Sequence, residues 1–264
     1  MKKINKSSDA GALAPFAQAF PDAGWDEFRN HNGGIDYASV KRAIFADQGQ
    51  LCAFCETRIE STDGQKHLQR IEHFHSKSDT DTSHNWTLDW QNLIGVCLGG
   101  SGLDNDRSLF PAPQNLSCDA YKGHLIEKSK LPVECEGLLL NPLLLPAFPC
   151  LFDLDKPTGE LRPNVNACEQ VEIADNRCAS VVELVQNTID VLNLNCDRLN
   201  KQRLAVLHGY ERRIKQARLK NDRTIFQTLA QRWFGQHWPA FFTTRRILLG
   251  SHAEVHLQTM SYNG

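Results

Sequence analysis

Two cysteines two residues apart, Cys52-Ala-Phe-Cys55, constrain the fold of this chain more than any other feature. Two thiolates from one tight turn reach a single tetrahedral zinc and leave two coordination positions open, so segments distant in sequence must be drawn to that turn. Cys97 and Cys118, in the turn-like contexts VCLGGSG and LSCDAYKG, complete a four-thiolate set. The gaps of 41 and 20 residues separating Cys55, Cys97 and Cys118 are wider than in a compact pair of C-x-x-C motifs. A second arrangement, two histidines from the stretch RIEHFHSKSD joined to Cys52 and Cys55, also satisfies tetrahedral geometry, but four thiolates already fill the coordination number. The nine cysteines are odd in number and no export signal is evident, which favours metal binding over a disulfide framework. Cys135 and Cys150 border proline-rich apolar pieces, Cys168, Cys178 and Cys196 fall in predicted helices, and all five read as small buried hydrophobes.

The organisation around that knuckle divides the 264 residues into three textures. Residues 1–50 form a helical lead-in, punctuated by Pro21 and Gly24, with Tyr37, Val40 and Ile44 at the three-and-four spacing of one face. Residues 51–163 are short apolar pieces between Gly, Pro, Asp and Ser clusters and hold most of the unusual chemistry. Residues 164–264 are helical: Ala174, Cys178, Val181, Val185, Ile189 and Leu192 make one stripe. Asn193 to Asn195 supply a turn, and Leu204, Leu207, Tyr210, Ile214 and Ala217 share a face of the next helix. The aromatic segment WFGQHWPAFFTTRRILLG is expected to pack back on these helices. The N-terminal stretch MKKINKSSDAGALAPF lacks a long apolar run, and LLLNPLLLPAFPCLF is broken by Pro142, Pro146 and Pro149, so the expectation is a soluble, cytoplasmic protein with no membrane partner. The formal charge of −2 conceals an asymmetry: residues 201–250 carry eleven Lys or Arg against Glu211 and Asp222. Such a surface suits a polyanion or an acidic partner, although a lysine-rich helix face is usually only solvated.

The stretch RIEHFHSKSD gathers Glu72, His73 and His75 shortly after the first cysteine pair. Adjacent side chains of a strand point to opposite faces, so Glu72 and His73 converge on one target only where the strand ends or kinks, and the polar run SKSDTDTSHN supplies such an ending. A histidine beside a carboxylate can take a proton from water while the carboxylate holds a divalent cation. The loop GGSG at 99–102 has no following Lys-Ser or Lys-Thr and reads as an ordinary loop rather than a phosphate cradle.

The order CAFCE, IEH, WQNL, C and CDAYKG resembles the zinc-stabilised ββα-metal type of HNH endonuclease, and more closely the PtuB-like HNH proteins of Septu-type and retron-associated antiphage systems. NTIDVLNLNCDRLNKQR (187–203) is similar to the leucine- and asparagine-rich helix motif carried after the nuclease core, and the resemblance runs from about Tyr37 to about Arg213. It implies an α+β fold: an HNH core over 51–163 with N-terminal helices and a helical, basic region over 164–264 for docking a partner or nucleic acid. It assigns His73 as the general base, Asn92 as the central asparagine that orients the loop, and Glu72 as the acidic ligand of a catalytic Mg²⁺ or Mn²⁺. Asp119 falls where these nucleases carry His or Asn, and His124 is the lesser candidate for that position. By the same resemblance Cys52, Cys55, Cys97 and Cys118 hold a structural zinc outside the chemistry, and water attack with loss of the 3′ oxygen leaves a 5′-phosphate product. The resemblance also implies company: a PtuA-like ABC/SMC-type ATPase, a retron reverse transcriptase with its RNA–DNA product, and a nucleic-acid substrate. An alternative from another class is a zinc-stabilised adaptor that binds nucleic acid or protein without catalysis, since Asp119 departs from the usual letter.

Overall fold

A computed structural model describes residues 1–60, 66–77, 79, 83–102 and 105–264. Three short helices, α1 (Leu13–Ala19), α2 (Trp25–Asn30) and α3 (Ile35–Asp47), lead the chain. They bury Leu13, Phe16, Phe28, Val40 and Ile44 together with Trp90 and Leu93, so the lead-in forms a shell on the segment after residue 50 rather than a separate body.

Strands β1 (Arg70–His73) and β2 (Leu93–Val96) pair antiparallel, with Arg70 opposite Val96 and His73 opposite Leu93. Gly95 exchanges both backbone hydrogen bonds with the Gln48 side chain and accepts a third from the Ala53 N–H, fixing α3 and the first cysteine turn to β2. A Cβ at Gly95 would lie 2.8 Å from the Phe45 ring, which is why the strand carries glycine at its crowded centre. Helix α4 (Cys118–Glu127) follows, giving the order strand, strand, helix.

A hairpin, β3 (Phe152–Asp155) and β4 (Glu160–Pro163), then leads through α5 (Val165–Cys168) to α6 (Val181–Val191) and α7 (Asp197–Leu219). Helix α6 begins at Val181, later than the apolar stripe from Ala174 suggests. Ser180 caps it by accepting from the Glu183 N–H at 3.1 Å, while the Glu183 carboxylate accepts from the Ala179 N–H at 2.8 Å; this reciprocal pair fixes the start and leaves Ala174 and Cys178 in a loop. Cys196 likewise precedes its helix, as the cap of α7, so of Cys168, Cys178 and Cys196 only Cys168 lies within a helix. On α7, Leu207, Ile214 and Ala217 are buried as their spacing requires. Helices α8 (Ile225–Phe234), α9 (Phe242–Leu249) and α10 (Ser251–Thr259) close an aromatic core in which Phe242 meets Phe234 and Tyr262 at 5.0 and 5.4 Å between ring centroids.

The largest core cluster runs from Ile4 and Phe45 through Phe54, Ile94 and Leu140 to Leu184, Leu199 and Leu248. The asparagine-rich turn between α6 and α7 joins its parts. The Asn193 amide donates to the carbonyls of Gln114 and Leu116, Asn195 pairs with both backbone groups of Leu161, and buried Arg203 donates to the Gly159 and Leu194 carbonyls. The fold is α+β, with helices around two small antiparallel sheets. Among the described residues no helix is long and apolar enough to cross a membrane.

Candidate active site

The four sulfurs come together. Cys52 and Cys118 lie 3.8 Å apart, Cys55 and Cys97 3.7 Å, Cys97 and Cys118 3.8 Å, and all four are within 4.8 Å of one another. A tetrahedral zinc with Zn–S bonds of about 2.3 Å has sulfur–sulfur edges of about 3.8 Å, so the donor set fits that ion. Backbone amides support the sulfurs: the Cys97 N–H points to Cys52 Sγ and the Gly99 N–H to Cys97 Sγ, both at 3.3 Å. Burial raises the Cys52 and Cys118 thiols well above their usual range, while Cys118, Cys52 and Cys97 together pull Cys55 well below it. The glycines of VCLGGSG serve this knuckle. A Cβ at Gly99 would fall 2.1 Å from the Ser117 carbonyl, and Gly100, at φ +83°, lies against the Arg198 guanidinium. Cys118 opens α4 and is anchored by its N–H to the Leu192 carbonyl at 2.7 Å. The two-histidine arrangement is not the one formed, since His73 and His75 face other partners.

At the end of β1 the alternation of the strand sends Glu72 and His73 to different neighbours. His73 is 8% exposed, packs edge-on against Trp25 at 4.6 Å, and sets Nε2 3.0 Å from the Thr87 carbonyl. A carbonyl only accepts, so Nε2 carries the hydrogen and Nδ1 is the basic nitrogen. Burial lowers the imidazole to about 4 against the opposing Thr87 bond, which keeps the ring neutral at physiological pH.

Glu72 turns to α4. Its carboxylate contacts the Lys122 ammonium, which lies 3.8 Å from Asp119, and Arg70 reaches Asp119 at 4.0 Å. Two carboxylates thus share one cationic partner. Burial raises Glu72 to about 7; Lys122 opposes that shift and the neighbouring Asp119 reinforces it. For Lys122, burial works against the charge but Glu72 outweighs it and holds the ammonium above its usual value. Asp119 and Lys122 stand three apart on the helix, one face, whereas His124 is about 140° round the axis from Asp119.

Asn92 closes a single tight turn and is 4% exposed. Its Oδ1 accepts from the His75 N–H at 2.6 Å, and its Nδ2 donates to the carbonyls of His75 at 3.0 Å and Trp86 at 2.8 Å. It therefore ties the chain leaving β1 to the loop that carries Thr87, the partner of His73. His75 stacks on Trp86 at 4.2 Å and sets its two nitrogens 2.7 Å from Asp79 and 2.7 Å from Glu136.

No family model matches the chain. A curated protein of Escherichia coli, named "Retron Ec83 putative HNH endonuclease", is 40% identical over 251 residues, spanning 94% of this chain and 93% of that protein. The chain belongs to this family of HNH endonucleases.

As an HNH endonuclease it hydrolyses phosphodiester bonds; the end of β1 and the first turn of α4 bring together a buried imidazole, two carboxylates and one ammonium. Lys122 is a further residue of the site, and its three-residue spacing from Asp119 is the sequence signal of a shared helix face. Trp86, Thr87 and Glu136 were missed: Glu136 lies 61 positions beyond His75, and no local pattern joins the two. Arg198, which donates to the Ser117 hydroxyl at 2.7 Å beside the cysteine loop, carried no signal beyond its place in a basic helix.

Proposed function

We propose that this HNH endonuclease is the effector of a retron-linked antiphage system, cutting nucleic acid with a divalent cation. The observation that carries the reading is the meeting of Glu72 and Asp119 at one cationic position beside β1, in a chain 40% identical to a retron HNH protein. Two oxygen donors of this kind suit Mg²⁺ or Mn²⁺, which when bound supplies charge neutralisation at the phosphate and its leaving oxygen. His73 takes the proton of the attacking water at Nδ1, while the Thr87 carbonyl holds the Nε2–H and fixes the tautomer. Asn92 positions that loop through its three side-chain hydrogen bonds. Lys122, beside both carboxylates, would lie within reach of substrate phosphates. The cysteine knuckle, with zinc, anchors the N-terminus of α4 and so places Asp119.

PtuB-like membership of the Septu group, a PtuA-like ATPase partner and a retron reverse transcriptase with its RNA–DNA product belong to the same reading, supported by the motif order and the retron relative. The test is incubation of purified protein with plasmid, single-stranded DNA and RNA, with and without Mg²⁺ or Mn²⁺. Cutting that requires the cation and disappears in His73→Ala is expected; undiminished cutting by that variant removes His73 as the base. Co-purification with the neighbouring ATPase tests the partner.

A further inference from the structure

Just past the end of β1, lined by the two residues that follow His73, lies a cavity of about 420 Å³, within the range of pockets that enclose small ligands. Its walls are apolar and aromatic, formed by Phe74, Trp86, Leu140 and Ile173, and its polar groups include His75 and Glu136. The cavity is continuous with the catalytic segment, because Phe74 and His75 directly follow His73 and Asn92 clamps His75 to Trp86. The Cys135 thiol, raised chiefly by burial, is within electrostatic reach of Lys122, Glu136 and Glu72 alike.

We infer that this cavity receives one nucleobase of the substrate, turned out of its strand next to the scissile phosphate. The inference rests on the reading of Glu72, His73 and Asp119 as the cutting residues. The fit is chemical as well as spatial. A base is a flat apolar body with a polar edge, and an aromatic slot takes the body whichever base it is. The edge meets acceptors: the acidic residues Glu136 and Asp175 are among those that line the cavity, and a carboxylate accepts but does not donate. Guanine presents N1–H and its 2-amino group side by side and matches such a rim; a uracil or thymine edge offers a single N–H between two carbonyls that a carboxylate repels. His75, held between Asp79 and Glu136 and stacked on Trp86, sets the angle of the Glu136 carboxylate and is a positioning residue. The pocket therefore selects by base identity, while the phosphodiester chemistry at Glu72 and His73 reads only the backbone.

Ala174 lines the cavity and is exposed in the loop before α6, so Ala174→Phe blocks the slot without removing core packing. The first arm sequences the ends cut from DNA and RNA pools of random sequence. Wild-type protein is expected to show guanine enriched on the order of tenfold at one fixed position near the cut, with Ala174→Phe cutting without that bias. The second arm needs no cutting: His73→Ala protein is titrated into a labelled oligonucleotide carrying 6-methylisoxanthopterin, a fluorescent guanine analogue that keeps both the ring N–H and the 2-amino group. A several-fold change in base fluorescence on saturation by anisotropy, lost in Ala174→Phe, supports the pocket. Flat base statistics in cutting wild-type protein overturn it, as does base fluorescence unchanged at saturation or absence of binding. Cutting that survives His73→Ala while the base preference stands indicts the catalytic assignment instead and leaves the pocket in place.

Discussion

Replacing Asn92 by alanine isolates the brace from the chemistry. The side chain makes three hydrogen bonds, of 2.6, 3.0 and 2.8 Å, inside a region where the residue is 4% exposed. Truncation strands the His75 N–H and two carbonyls. A buried group left without its partner costs about 1–3 kcal/mol, and the loop can partly relax around the carbonyls, so the loss is about 3–5 kcal/mol. Against a typical total of about 5–15 kcal/mol the variant stays folded at room temperature with a lowered urea midpoint. Asn92→Asp is the sharper comparison. It keeps the acceptor for His75 but gives up both donations and turns a carboxylate toward two carbonyls, so it should be at least as unstable as the alanine variant. Cutting should fall on the order of a hundredfold or more in both, because Thr87 and His73 lose their common anchor. Urea titration followed by far-UV circular dichroism, with single-turnover cleavage on the same preparations, reads both effects. An alanine variant within about 1 kcal/mol of wild type, or an aspartate variant as stable as wild type, would refute the reasoning.

Three further outcomes are expected. His73 is lowered to about 4 and Glu72 raised to about 7, so the two oppose each other in metal-free protein. The unfolded chain protonates His73 first as pH falls from about 6.5 to 4, which removes about 3 kcal/mol; buried Glu72 keeps a proton that the unfolded chain releases, which removes a similar amount as pH rises from about 4.5 to 7. Thermal melts should therefore show Glu72→Gln losing stability on acidification and His73→Gln gaining it; parallel curves would remove the linkage. Elemental analysis should find one zinc per chain, lost in Cys118→Ser, and Arg198→Met should speed zinc release to a chelator by removing the cation beside the sulfurs. Gly99→Ala, whose methyl would sit 2.1 Å from the Ser117 carbonyl, should yield insoluble protein or protein without zinc, read by the same analysis.

What the sequence discloses follows from how local the signal is. The α+β character and the buried face of α7 rest on residue types at short spacings, and the four cysteines, though scattered, are a set because sulfur has few other uses in such a chain. Where long-range packing decides, sequence is silent. Nothing in RIEHFH says that the strand sends Glu72 toward α4 and His73 toward Trp25, or that His75 meets a carboxylate from residue 136. The stripe from Ala174 looked helical because its spacing was right, yet two hydrogen bonds at Ser180 and Glu183 outweighed it. The boundaries read at 50 and 163 follow composition; hydrophobic packing crosses both.

The interlocking of the turn after α6 with the segment before α4 bears on how such an enzyme is restrained. Cys118 hangs from Leu192, and the carbonyls of Gln114 and Leu116 from Asn193, so the C-terminal helices are part of the frame on which the cutting groups are mounted. A controlling subunit that gripped those helices would tug at the cysteine knot itself. Silencing by outright separation of the two halves would unravel the molecule, which leaves covering of the surface around Glu72 and Asp119, or a slight shift of α4, as the ways to hold it in check.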